Sequence, residues 1–106
     1  MYRAALQGEP LGRVQTRMTT FPYSGHASTY SKSNGITDSA VAGTCLATGS
    51  KTKNGMLGLD ADSARLTTIA EELKAQGWGI GIMTTVAIDH ATPGAFYAHE
   101  IGRAHV

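Results

Sequence analysis

What the chain has little of narrows it first. A single cysteine, Cys45, stands among 106 residues, so neither an internal disulfide framework nor a cysteine-based zinc cluster can form within it. Charged residues are only 16% and the formal net charge is +1 with neutral histidines. Bulk electrostatics therefore select no polyanion, and nucleic acid is not an expected partner. The longest apolar stretch, near Gly77 to Ile88, is too short and too interrupted by Gly and Thr to span a bilayer, and no apolar leader core follows Met1. A signal peptide is expected only upstream of Met1. What remains, 42% hydrophobic residues in a soluble-type composition, is at most one domain, and a chain this size buries roughly two-thirds of its unfolded surface.

Residues 1–35 are rich in Gly, Ser, Thr and Tyr, with one alternating run, Ala27-Ser-Thr-Tyr-Ser31, that could form a strand between loops. From Ser39 to Thr48 small residues dominate, and Val41, Cys45 and Thr48 fall on one helical face. A close-packed helix is predicted there, capped by Asp38 or Ser39. Asn54-Gly55 marks a turn, and 60–63 a loop with capping candidates. Leu66, Ile69, Ala70 and Leu73 then form an apolar helical stripe, with Gly77 placed for a left-handed C-terminus. Trp78 to Val86 reads as a buried strand, and Pro93 as the first turn of a helix containing Phe96 and Tyr97. Helix, turn, buried strand, loop and helix make up the grammar of an α/β fold with a parallel sheet. A single confident strand does not make a sheet, so the chain is expected to be a piece of a larger domain.

Two polar clusters could carry chemistry. Asp38-Ser39 stands at the mouth of the small-residue helix, where free N–H groups and the positive end of the helix dipole favour phosphate and an ionised alkoxide. The commoner reading of such a pair is a plain helix cap. No G-x-S-x-G elbow surrounds Ser39 and no histidine is placed as its base, so activation would fall to a metal ion. Asp89-His90-Ala91-Thr92 follows the expected strand, where α/β proteins place ligands, and offers oxygen and nitrogen donors for Mg²⁺ or Zn²⁺. A loop leading into a helix explains it equally without a metal. Lys51 and Lys53 by a turn are expected to be solvated, Cys45 to belong to the core, and His26 and His99 carry no assigned role.

Read in order, TDSAVAGTCLATGSKTKNGMLGLD and then TTVAIDHATPGAFYAH strongly resemble the alkaline phosphatase family, over about Met18 to His99. Three segments carry the likeness: T-D-S-A, A-T-G-x-K-T-x-N-G and H-A-T-P-x-x-x-Y-A-H. The resemblance implies a three-layer α/β/α fold with a mainly parallel central sheet, and hydrolysis of small phosphate monoesters through a phosphoserine at Ser39. It implies two Zn²⁺ ions flanking Ser39 and one Mg²⁺ ion. Thr92 falls on a magnesium ligand, and His90 on a position that contacts the magnesium site indirectly. Asp38 falls on the residue that holds a phosphate-gripping arginine, which by spacing from His90 is Arg103.

The same resemblance places the remaining metal ligands outside this sequence: an aspartate in a Gly-Asp-Gly segment upstream of Met1, and others downstream of Val106. The isolated chain, a partial domain over 1–99, is therefore expected to be inactive. Glu100 to Val106, EIGRAHV, is also what a common sequencing adapter encodes in translation, so 100–106 is expected to be a read-through tail and Arg103 a coincidence of it. The parent is expected to be periplasmic or secreted and to dimerise in the manner of many relatives. A sulfatase reading lacks the x-Pro-x-Arg that would follow the nucleophile. From a different class, the alternative is a non-catalytic α/β fragment or binding module in which Ser39 only caps a helix.

Overall fold

A computed structural model describes residues 16–101. A 3-10 turn over Arg17–Thr20 is followed by a long irregular stretch and then by α1 (Ser39–Thr48), β1 (Met56–Leu57), α2 (Ile69–Ala75), α3 (Ala91–Gly94) and β2 (Glu100–Ile101). Among these residues the one sheet is a two-stranded antiparallel pair, with Met56 opposite Ile101 and Leu57 opposite Glu100. No helix among the described residues is long and apolar enough to cross a membrane.

The helix ends follow from local chemistry. Asp38 is the N-cap of α1, its Oδ1 accepting the Val41 N–H at 2.9 Å; Gly49 closes the helix in the left-handed region at φ 73°, its N–H donating to Cys45 O at 2.9 Å. At α2, Thr68 Oγ1 accepts the Glu71 N–H while Glu71 Oε2 accepts the Thr68 N–H, a reciprocal capping box. Gly77 ends it at φ 88°, with its N–H on Lys74 O and the Trp78 N–H on Leu73 O, both 3.0 Å, a Schellman closure.

The core is small. Ala40, Leu57, Ala91 and Ala95 form its apolar cluster, and Leu57 and Val41 are the largest fully buried apolar side chains. α1 divides by helical spacing. Ala40, Gly43, Thr44 and Ala47 are buried on the side that meets α3 and β1, whereas Ala42 and Leu46 are exposed. Gly43 sets how closely α1 and α3 approach. A Cβ there would lie 2.9 Å from Ala95 Cβ and 3.4 Å from the Thr92 main chain. Thr44 joins α1 to β1, its Oγ1 donating to Met56 O at 3.2 Å and accepting the Gly58 N–H at 3.1 Å.

Three expectations need correction. Residues 78–86 form no strand and are not buried: Trp78 is 64% and Met83 98% exposed. A strand needs neighbours for its N–H and C=O groups and for both its faces, and none is supplied by the described residues. The expected helix is present as α2, although Leu66 lies before it and its apolar stripe is not buried, Ile69 being half exposed. The last helix is α3, which places Pro93 third within it and leaves Phe96 and Tyr97 in the turn that follows. The run at 27–31 likewise remains irregular.

Candidate active site

Ser39 is the first residue of α1 and is exposed, beside N–H groups that have no acceptor inside the helix. The cap is supplied by Asp38, not by Ser39. Asp38 is held from two sides: besides Val41, the Gly55 N–H donates to Oδ2 at 2.7 Å. Each carboxylate oxygen thus keeps one lone pair for another donor. Gly55 delivers its N–H from the tight turn of Lys53 to Met56, whose Met56 N–H donates to Lys53 O at 3.2 Å, and its φ of 83° is the conformation that favours glycine there.

His90 is the N-cap residue of α3 and Thr92 lies within that helix, exposed. Because α3 packs on α1 at Gly43, the two polar clusters seen in the sequence belong to one packed unit. Arg103 lies outside the described residues. Among the described residues no three His, Cys, Asp or Glu side chains gather into a group that could hold a metal ion. By themselves, then, they do not fit the zinc and magnesium sites that the resemblance implies.

A third cluster had no assigned role in the sequence. His99 is half-buried with Nδ1 2.8 Å from Gly58 O and Nε2 3.2 Å from Glu71 Oε1, and Arg65 Nη2 bonds the same carboxylate oxygen. Both neighbours of the ring are acceptors, so it satisfies them together only with a proton on each nitrogen. The Thr68 N–H foremost, then Arg65 and, more weakly, His99, hold the Glu71 carboxyl down from 4.5 to about 2. The buried Thr68 hydroxyl donates to Phe96 O at 3.0 Å, so α2 is latched to the end of the 91–98 turn. The signal available in sequence was Thr68-x-x-Glu71, the spacing of a capping box.

Lys51 departs from the solvated reading. Its Nζ donates to Tyr30 O at 2.9 Å and Ser28 O at 3.3 Å and lies 3.4 Å from the centre of the Tyr30 ring. Lys51 and Cys45 line a groove of about 710 Å³ between residues 27–37 and the Ala42, Leu46 and Gly49 face of α1. Ser39 does not line this groove, so this recess and the nucleophile candidate occupy different places.

The alkaline phosphatase family model matches residues 1–106. Alkaline phosphatase 4 of Bacillus subtilis is 46% identical over 71 residues, covering 67% of this chain and 15% of that protein. The alkaline phosphatase of Gadus morhua is 33% identical over 111 aligned residues, 95% of this chain and 23% of that protein. Among solved structures, the cold-active enzyme of a Shewanella species superposes with a TM-score of 0.71 at 44% identity, over 74% of this chain and 20% of that one. The enzyme of the Antarctic bacterium TAB5 gives 0.76 at 33%, over 88% and 27%, and a variant of it has Mg bound in its M3 site. The chain spans less than a quarter of the length of those two curated relatives. With the match running the whole length of the sequence and the solved neighbours sharing an α/β fold, this chain belongs to the alkaline phosphatase family.

Proposed function

We propose that the full-length protein containing these residues hydrolyses phosphate monoesters through a phosphoserine at Ser39. The observation that carries this reading is the division of labour at the start of α1. Asp38 caps the helix, which leaves the exposed Ser39 hydroxyl uncommitted to capping. In the first step a bond forms from Ser39 Oγ to phosphorus as the bond to the leaving alcohol breaks, and the serine proton is made up on the alcohol through solvent. In the second, water attacks phosphorus, the bond to Oγ breaks, a proton from that water returns to Ser39 Oγ through solvent, and phosphate leaves. The N-terminal end of α1 favours the charge that builds up near Ser39.

In this reading Asp38 orients the phosphate-gripping arginine, and Thr92 and His90 form one edge of a magnesium site whose other ligands, with those of two zinc ions, come from elsewhere in the protein. Those metals would supply charge neutralisation and a lowered hydroxyl pKa. The parent is a three-layer α/β/α protein with a mainly parallel sheet, periplasmic or secreted and dimeric. The 106 residues alone have no turnover. Glu100 and Ile101 add to β1 through main-chain bonds that almost any residues can make.

In the full-length protein, Ser39→Ala should abolish zinc-dependent hydrolysis of an aryl phosphate; turnover kept by that variant would refute the assignment. A reading of the segment as a non-catalytic module in which Ser39 caps a helix is disfavoured by the cap falling to Asp38.

A further inference from the structure

Asn54 lies outside every role considered so far, yet it meets the Asp38-Ser39 entry from three directions. Its Nδ2 donates to Ile36 O at 3.0 Å, and its Oδ1 faces the Asp38 N–H at 3.5 Å. Its own N–H donates to Ser33 Oγ at 2.9 Å, and the next N–H in the chain, that of Gly55, holds Asp38 Oδ2 at 2.7 Å. The amide orientation follows from chemistry: Ile36 O can only accept and the Asp38 N–H can only donate, so the nitrogen must face the first and the oxygen the second. One side chain thus ties the main chain on both sides of Thr37, while the adjoining N–H fixes the carboxylate next to Ser39. Thr37 is bound as well, its hydroxyl donating to Thr29 O.

We propose that Asn54, acting with the Gly55 N–H, is a positioning residue for Ser39: the Asn54-Gly55 turn clamps the main chain and the carboxylate of Asp38 and thereby sets where the attacking hydroxyl points. The proposal rests on Ser39 being the nucleophile. A nucleophile displaced by about 1 Å loses on the order of a hundredfold in rate, whereas the Asn54 side chain is exposed and its loss should cost little stability.

The test is rapid mixing of the full-length protein with p-nitrophenyl phosphate, reading the first release of nitrophenol. Asn54→Ala should slow that release about ten- to a hundredfold at nearly unchanged KM, with the melting temperature close to that of the parent. Asn54→Asp keeps an acceptor for the Asp38 N–H but loses the donor to Ile36 O, and should fall between. A role in stability alone would lower the amplitude of the burst and leave its rate intact. A burst rate unchanged in Asn54→Ala overturns the proposal, and should that variant not fold, Asn54→Asp decides by the same criterion. Ser39→Ala, run alongside, separates the two claims: if it abolishes release while the Asn54 variants release normally, only the positioning role fails. If Ser39→Ala itself releases nitrophenol, the nucleophile reading fails first.

Discussion

The junction of α1, β1 and α3 and the segment from Trp78 to Ile88 are both apolar in sequence, yet the first is closed to solvent and the second is open. Ala40, Leu57, Ala91 and Ala95 are at most 5% exposed, while Met83 is 98% exposed. The difference lies in how far each must reach for partners. The junction is made of small residues whose backbones approach one another at Gly43 and Gly58, and its polar groups are satisfied by Thr44, Thr68 and His99 from the same chain. An extended segment with large side chains on both faces needs strands at its edges and layers above and below, and burial follows only when those are present.

The contrast can be attacked from its closed side first. Gly58→Ala would place a Cβ 2.4 Å from Ala98 O at a φ of 59°, and left-handed strain plus overpacking should cost about 3 kcal/mol in urea unfolding of the chain. Gly43→Val, pressing on Ala95 and the Thr92 main chain, should cost about 2 kcal/mol and loosen α3 in hydrogen exchange. A loss below about 0.5 kcal/mol at either site would mean that the junction is not close-packed. Thr68→Ala removes a cap and a buried donor to Phe96 O and should cost about 1–2 kcal/mol.

Acid should act on the same latch. Glu71 is held well below its ordinary value by the Thr68 N–H, Arg65 and His99, so its contribution is complete above about pH 4.5 and is lost as the pH falls towards 2. Glu71→Gln should flatten the stability profile in that window, and an unchanged acid limb would remove Glu71 from the latch. The smallest effect belongs to the open side: Met83→Thr should change the stability of the chain by less than about 0.5 kcal/mol. A larger loss would show that 78–88 is packed after all.

The parts legible in the sequence are those whose signals are local. Asp38 before a run of small residues, Asn54-Gly55 and Gly77 each specify a cap, a turn or a stop within a few residues, and each is found where expected. The strand at 78–86 was misread because a run of apolar residues says that a segment needs cover and not what supplies it. His99 was passed over for the opposite reason. Its partners, Gly58 and Glu71, are 41 and 28 residues away, and nothing in the spacing announces them. At the candidate site Asp38, Ser39, His90 and Thr92 were all visible as polar residues next to helix starts, whereas the grip of Asn54 and Gly55 on Asp38 emerged only from the folded turn.

That grip bears on recognition as well as on catalysis. Ordering a flexible side chain at an interface costs about 0.5–1.5 kcal/mol, but Asp38 has already been ordered by Val41 and Gly55 during folding. If an arginine binds its remaining lone pairs, as proposed above, the guanidinium would meet an acceptor whose rotamer is already set. The ordering cost that remains would be the cation's own.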